Sequence, residues 1–339
     1  MSFRVRPARM DDLQAIYEMA KLTGGGFTNL PPERKALQGK LERSQAALAS
    51  TSDTQTDDLF VMVLENVDTG QIRGTCQIFG QVGVEWPFYS YRISTLTQTS
   101  KALGKTFRAE MLTLVTDFDG CSEVGGLFLH PGERAGGLGL LIARSRYMFI
   151  KTHRNRFGSR ILAELRGVID EAGGSPFWDA VAGRFFGMSF QEADEFNGAY
   201  GNQFIADLMP KTPIYTAMLP ESARAVMGVP HPSGRAAMKM LEREGFRFDG
   251  YIDIFDGGPT MSAEVDNVRT IRESNEYVVA EIADDIDEER MLLAAGTLGD
   301  FAACYGEVGL HMDGSAMLSA AAAELLGIGI GDRFVAMGR

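Results

Sequence analysis

Between Val124 and Val168 the hydrophobic period of the chain changes twice. Val124–His130 is a short apolar run and 131–139 is rich in glycine. Leu138, Leu141, Ile142, Ser145, Met148, Phe149 and Thr152 then fall at helical spacing, and Arg160–Val168 alternates again. The order strand, glycine-rich turn, helix, strand is a crossover unit, and it predicts a locally parallel pair of strands. That places the chain in the α/β class. It also brings the end of one strand to the start of one helix, the place where open α/β sheets bind ligands.

The turn itself reads Arg134-Ala-Gly-Gly-Leu-Gly139 and fits R-x-x-G-x-G, with Arg134, Gly137 and Gly139 in the fixed positions. Small residues let backbone N–H groups approach a diphosphate, and the following helix adds its positive end. Glycine suits such a turn because a Cβ would block the approach or forbid positive φ. A plain strand-to-helix turn would have the same composition. The net charge of the chain is −12, yet 134–163 contains no acid and carries Arg134, Arg144, Arg146, Lys151, Arg154, Arg156 and Arg160. This block either faces phosphate, including a 3′-phosphate, or forms a solvated helix face.

Around it the reading is a first strand over 3–7, a helix after Asp11 and Asp12, and a break at Thr23-Gly-Gly-Gly26. No Gly-Lys-Ser/Thr follows those glycines, so they read as a substrate-side loop rather than a phosphate loop. A helix over 33–48 and a polar linker over 50–58 follow. Strands over 59–66 and 72–84 are joined by a turn at Asp68-Thr-Gly70. Residues 86–118 show no regular period. Ser175 caps a helix that starts at Pro176 and runs to about Phe186. Pro210, Pro213, Pro220, Pro230 and Pro232 forbid one long helix there. A helix over 234–244 stops at Gly245, and Tyr251–Phe255 is a strand. From 256 onward short alternating runs dominate, with a helix over 315–326. The expected division is a catalytic region over 1–255, with its core over 121–190, and a small β-rich domain over 256–339.

Several classes are excluded. The chain has 339 residues, enough to bury a large core without disulfides. Cys76, Cys121 and Cys304 are dispersed and lack metal-ligand spacing, which argues against a zinc site and fits a reducing cytoplasm. No apolar run reaches the roughly 18 residues of a membrane span, and the first residues do not read as a signal peptide. The acidic balance disfavours nucleic-acid binding.

R-x-x-G-x-G after a short apolar strand resembles the acyl-CoA signature of the GCN5-related N-acyltransferase fold, a mixed sheet flanked by helices. In that fold the strand, here around Leu127, Phe128 and Leu129, hydrogen-bonds the pantetheine arm of CoA, and the turn cradles the pyrophosphate. The fold also ends its core with a helix running into Gly-Phe. Leu241-Glu-Arg-Glu-Gly-Phe246 has that pattern, and a looser copy at 177–190 raises an internal duplication. More specifically, the chain resembles the arginine N-succinyltransferase family. The matching runs are Lys21-Leu-Thr-Gly-Gly-Gly, Tyr91-Arg92 with Thr95-Leu96, Glu164-Leu-Arg-Gly-Val-Ile-Asp-Glu171, Ser175-Pro-Phe-Trp178, Arg184-Phe-Phe, Leu208-Met-Pro-Lys-Thr-Pro-Ile-Tyr215, Val229-Pro-His-Pro232 and Tyr251-Ile-Asp-Ile-Phe-Asp-Gly-Gly-Pro259. They extend to about residue 260, and the remainder matches weakly.

The resemblance implies succinyl-CoA as co-substrate, with no permanently bound cofactor, and L-arginine as acceptor through its α-amine. Ornithine or another amine is the alternative acceptor, and a homodimer or pairing with a related CoA-binding subunit is implied as the assembly. It also places the family's succinyl-CoA contact on Leu127 and its proton-transfer histidine on His231. Residue chemistry independently favours His231 among His130, His153, His231 and His311. It sits in Pro-His-Pro, which restricts its backbone, and it precedes a helix whose positive end favours neutral imidazole. His130, at the end of the CoA strand, is the rival base, and His153 reads as facing solvent or phosphate. Glu164, Arg166, Asp170 and Glu171 form a charged cluster suited to a guanidinium and a carboxylate, or equally to structural ion pairs.

Overall fold

The computed structural model describes residues 2–23, 29–134, 136–201, 203–284 and 286–338. The chain divides into two compact units, each assembled from separate segments. The first unit begins with β1 (Phe3–Pro7), α1 (Leu13–Lys21), α2 (Arg34–Ala49), β2 (Leu59–Asn66) and β3 (Gln71–Phe79). The second then starts with β4 (Ser90–Ser100) and β5 (Lys105–Val115), before the chain returns to the first for β6 (Ser122–Leu129) and α3 (Leu138–Thr152). The second unit resumes with β7 (Arg160–Glu164), α4 (Pro176–Ala180), α5 (Gly183–Phe186), α6 (Phe190–Tyr200), α7 (Gln203–Leu208) and β8 (Ile214–Tyr215). It ends with α8 (Glu221–Arg224), α9 (Arg235–Glu244), β9 (Arg247–Asp253) and β10 (Pro259–Glu264). The first unit is completed by α10 (Arg269–Glu273), β11 (Asn275–Ala283), β12 (Arg290–Ala295), β13 (Ala302–Leu310), β14 (Ser315–Ser319), α11 (Ala320–Leu326) and β15 (Arg333–Met337).

In the first unit the strand order is β12-β15-β11-β14-β13-β1-β2-β3-β6. The sequence Leu-Phe-Val-Met-Val-Leu of β2 is apolar on both faces because both are covered. Ile16, Met19 and Ala20 of α1 and Leu37 and Leu41 of α2 pack with Leu59, Val61 and Val63 in one core. Phe60, between those residues on the strand, meets Phe149 of α3 at 4.9 Å between ring centroids, and Phe149 meets Phe301 at 5.1 Å. The sheet is mixed: β11 and β14 run parallel, whereas β1 lies antiparallel to both β2 and β13. The β-rich character expected after 256 is present. Its strands extend the sheet that contains β1, with Arg4 opposite Cys304, so the compact units cut the chain differently from a division at 255.

In the second unit the order is β7-β10-β9-β4-β5-β8. Its core gathers Tyr91, Leu112, Phe177, Trp178, Phe190 and Ile252 among others. Three local expectations need correction. Residues 86–118 are not irregular, since β4 and β5 form a long hairpin. Its distal half is largely exposed, so its polar, threonine-rich run lacks an apolar alternation to betray it. The helix from Pro176 breaks at Val181 (φ −110°, ψ −85°), where Trp178 packs on Phe186 and Phe255 and donates its indole N–H to Met188 O. Residues 315–319 are strand, and Ser319 caps the helix that follows by accepting from Ala322 N–H.

Candidate active-site residues

The first unit carries the sequence-predicted acyl-CoA residues. Pairing of β3 with β6 runs Gly74–Leu129, Thr75–Phe128, then Gln77–Gly125. Gly126 and Leu127 therefore face the single residue Cys76, which is a β-bulge. Gly126 adopts φ 56°, and a Cβ there would lie 2.8 Å from Gln77 Cδ. The bulge interrupts the regular ladder at Gly126 and Leu127.

After β6, His130 opens a single turn of 3-10 helix, with its Nδ1 accepting from Gly132 N–H at 3.2 Å and facing Arg73 Nη2 at 2.9 Å. Arg73 also donates to Glu133 at 2.9 Å. His130 is thereby built into a turn-fixing cluster, which weakens it as the rival base. Arg134 is exposed, and Ala135 lies outside the described residues. Gly137 takes φ 82° as the N-cap of α3, which has no side-chain cap and no acid in its first turn. The first N–H groups of a helix have no intrahelical acceptor and point outward. A Cβ on Gly139 would meet only Leu129 Cδ2, at 3.8 Å. The turn thus offers donors, a positive helix end and the exposed Arg134 to an anion.

The basic block behind it does other work. Lys151 donates to Ile271 O at 2.9 Å and to Ser274 O. Arg154 forks onto Asp266 at 2.7 and 3.0 Å. Arg156 is buried against Phe60, Asp58 and Ala47 O. Arg144 and Arg146 are buried as well. Lys151, Arg154 and Arg156 thus hold α3 and its flank to neighbouring segments, and neither the phosphate-facing reading nor the solvated one describes them. His153 is buried too, with Nδ1 at 2.9 Å from Phe149 O and Nε2 accepting from Leu298 N–H at 3.1 Å, so it faces neither solvent nor phosphate.

The second unit carries His231. Pro230 and His231 run beside 165–167: Gly167 bridges Pro230, and His231 N–H donates to Arg166 O at 2.7 Å. Its Nδ1 accepts from Ser233 N–H at 3.3 Å and lies 2.7 Å from Ser233 Oγ. With Nδ1 taken as acceptor, the neutral ring carries its proton on Nε2. Partial burial and then the Arg166 guanidinium push the His231 pKa below its ordinary value, favouring that neutral form. Of the charged cluster, Arg166 is half-buried beside His231 and its Nε has no hydrogen-bond partner. Asp170 instead closes its own loop, accepting from Ala172 and Gly174 N–H at 2.9 and 2.8 Å. Glu164 ends β7, half-buried.

Sequence reasoning did not single out two buried polar groups. Glu123, the second residue of β6, accepts from Asn29 at 3.1 Å, with Lys40 nearby on Gln77 at 3.3 Å. Burial pushes the Glu123 pKa up despite Asn29 and Lys40. In the second unit, Asp256 is buried in the turn between β9 and β10, beside half-buried Asp253 at the end of β9, and burial pushes both carboxyls up. The signal in the sequence was Asp253-Ile-Phe-Asp-Gly-Gly258, read there as the end of a strand and part of a run matching the family. Among the described residues no cluster of histidine, cysteine and acids could hold a metal ion, and no helix is long and apolar enough to cross a membrane.

The family model for the arginine N-succinyltransferase beta subunit matches residues 3–270, and that for the same subunit's C-terminal domain matches residues 276–338. The chain belongs to the arginine N-succinyltransferase beta subunit family. The arginine N-succinyltransferase of Enterobacter sp. (strain 638) is 44% identical over 277 residues, covering 82% of this chain and 80% of that one. The arginine N-succinyltransferase of Salmonella schwarzengrund is 45% identical over 279 residues, with the same coverage. Among solved structures, subunit AI of the arginine/ornithine succinyltransferase from Pseudomonas aeruginosa superposes with a TM-score of 0.91 at 31% identity, over 99% of this chain and 98% of that one. The family therefore extends through residues 276–338, where the resemblance by motif is weak.

Proposed function

We propose that the chain transfers a succinyl group from succinyl-CoA to the α-amine of L-arginine, giving N2-succinyl-L-arginine and CoA, as an enzyme of arginine catabolism. Membership of the arginine N-succinyltransferase family over nearly the whole chain carries this reading. The bulge at Gly126–Leu127 and the uncapped glycine turn at Gly137 support a CoA thioester as donor, since one interrupts the strand ladder where the pantetheine arm would pair and the other offers an anion cradle.

In the reaction the amine nitrogen bonds to the thioester carbonyl carbon, the C–S bond breaks, the amine loses a proton and the thiolate gains one. The backbone of Leu127, with Phe128 and Leu129, binds the pantetheine arm, and Leu127 polarises the carbonyl. Gly137, Gly139 and Arg134 take the pyrophosphate. His231, neutral at the start, takes up the proton that the amine loses, and the imidazolium so formed protonates the departing thiolate. Arg166 pairs with the carboxylate of the acceptor and Glu164 with its guanidinium; Asp170 is assigned to the loop rather than to the substrate contact. No metal or permanently bound cofactor enters this scheme. The enzyme works in the cytoplasm, as a homodimer or paired with a related subunit. The family's designation as a beta subunit and the Pseudomonas relative's as subunit AI favour the paired form.

The test is turnover of the purified chain across acetyl-, succinyl- and glutaryl-CoA with arginine, ornithine and lysine. The expected result is highest kcat/KM for succinyl-CoA with arginine. Preference for ornithine would replace the acceptor, and turnover appearing only after addition of a related chain would make this chain one part of a heteromer.

A further inference from the structure

The turn between β9 and β10 is tied to the segment that carries His231. Asp256 is 7% exposed and uses both carboxylate oxygens on backbone donors, Oδ2 accepting from Gly167 N–H at 2.7 Å and Oδ1 from Gly258 N–H at 2.8 Å. Gly167 is the residue after Arg166, whose carbonyl accepts the His231 N–H at 2.7 Å. Gly228 N–H donates to Gly257 O at 2.9 Å, closing the third side. Three segments, 165–167, 228–231 and 256–258, thus interlock through backbone bonds around one carboxylate.

The contacts leave no room for slack. A Cβ on Gly167 would fall 2.5 Å from Asp256 O, and one on Gly258 would fall 2.1 Å from Leu165 O. Asp253 braces the turn from within, its Oδ1 accepting from Phe255 and Asp256 N–H at 2.6 and 2.8 Å. Burying a carboxylate costs free energy that a neutral residue would avoid. What a carboxylate offers here is two acceptors pointing apart; an amide of the same shape has one oxygen and would leave Gly167 or Gly258 without a partner.

We propose that Asp256 is a positioning residue for His231, holding 165–167 so that the Arg166 carbonyl fixes the histidine backbone and its ring. The inference rests on the proton-donor role given to His231 above. Asp256 faces Asp253 in its own turn and Arg166 on the adjoining segment, and Arg166 in turn faces Asp194 of α6. Burial, and then the neighbouring Asp253, push the Asp256 carboxyl upward. Its protonation therefore removes an acceptor from the lock while the pH is still near neutral, before the ordinary carboxylate range is reached.

A double-mutant cycle decides the matter, with kcat, both KM values and succinyl-CoA binding measured for wild type, Asp256→Asn, His231→Ala and the double variant. Asp256→Asn is expected to lose about tenfold or more in kcat with both KM values within about threefold, and to cost less than about twofold when His231 is already alanine. The low-pH limb of the rate should be steeper in wild type than in Asp256→Asn, because the amide does not titrate. An equal loss in both backgrounds would overturn the positioning role while leaving His231 as proton donor. If His231→Ala keeps full turnover, the proton role fails and this inference falls with it. Should Asp256→Asn not fold, NMR titration of the native protein serves: the Gly167 amide and the His231 ring must share an inflection, and independent titration overturns the proposal.

Discussion

Gly126→Ala tests the bulge directly. Gly126 holds φ 56°, where an L side chain costs roughly 1–2 kcal/mol. Its new Cβ would also lie 2.8 Å from Gln77 Cδ and Nε2, so the glutamine must move. Gln77 donates to Asn29 O at 2.6 Å and accepts from Lys40 at 3.3 Å, and losing both bonds costs about 1 kcal/mol each. The sum is about 3–4 kcal/mol. Gly104→Ala supplies the reference, since Gly104 has φ 59° but nothing within 4 Å of its Cβ position, and so reports the backbone strain alone. Urea unfolding of both variants should therefore differ by about 2 kcal/mol, and calorimetry should show succinyl-CoA affinity falling about tenfold in Gly126→Ala, equivalent to roughly 1.4 kcal/mol of lost backbone contact. Equal stability of the two variants would refute the crowding argument. A folded Gly126→Ala protein with unchanged CoA affinity would refute the use of the bulge for the donor.

Three further outcomes are expected. His231→Ala should bind succinyl-CoA normally yet lose at least about 10²-fold in kcat, with the low-pH limb of the rate displaced; turnover within a few-fold of wild type would remove it from the mechanism. Arg156→Ala, which strands Asp58 against a buried cavity, should lower stability by about 3 kcal/mol without altering the ratio of CoA to dephospho-CoA affinity, and a change in that ratio would restore the phosphate reading of the basic block. Glu65 is pushed up by burial, but the hydrogen bonds from Arg6 and Arg4 outweigh that and hold its folded pKa below 4.5. Its contribution is therefore complete above that value and lost as pH falls through the lowered one, so Glu65→Gln should flatten the acid limb of a stability–pH curve, which denaturation between pH 3 and 6 would reveal.

The sequence disclosed the parts of the fold whose local chemistry and tertiary role agree. The apolar run of β2, the turn at Gly70, the stop at Gly245 and the strand-turn-helix around Gly137 all have local causes, and each stands where its pattern puts it. The hairpin of β4 and β5 escaped because exposed strands carry no apolar alternation. The basic block misled because charge in a sequence does not show its partners: Asp266 and Asp58 lie far along the chain from Arg154 and Arg156. For the candidate site, glycines and the Pro-His-Pro run were visible, whereas the bulge opposite Cys76 depends on register, and the backbone donors that Asp256 accepts from depend on separate segments meeting.

The placement of β1 also bears on how the protein is made. One edge of β1 pairs with β2, but the other pairs with β13, Arg4 lying opposite Cys304. While a ribosome works through the residues between, that second edge has no partner and is a template for strands of other chains. Closing it late means a long loop must be ordered before the contact forms, which slows folding. Expression yield should accordingly depend more on chaperone supply and growth temperature than the finished molecule's stability would suggest.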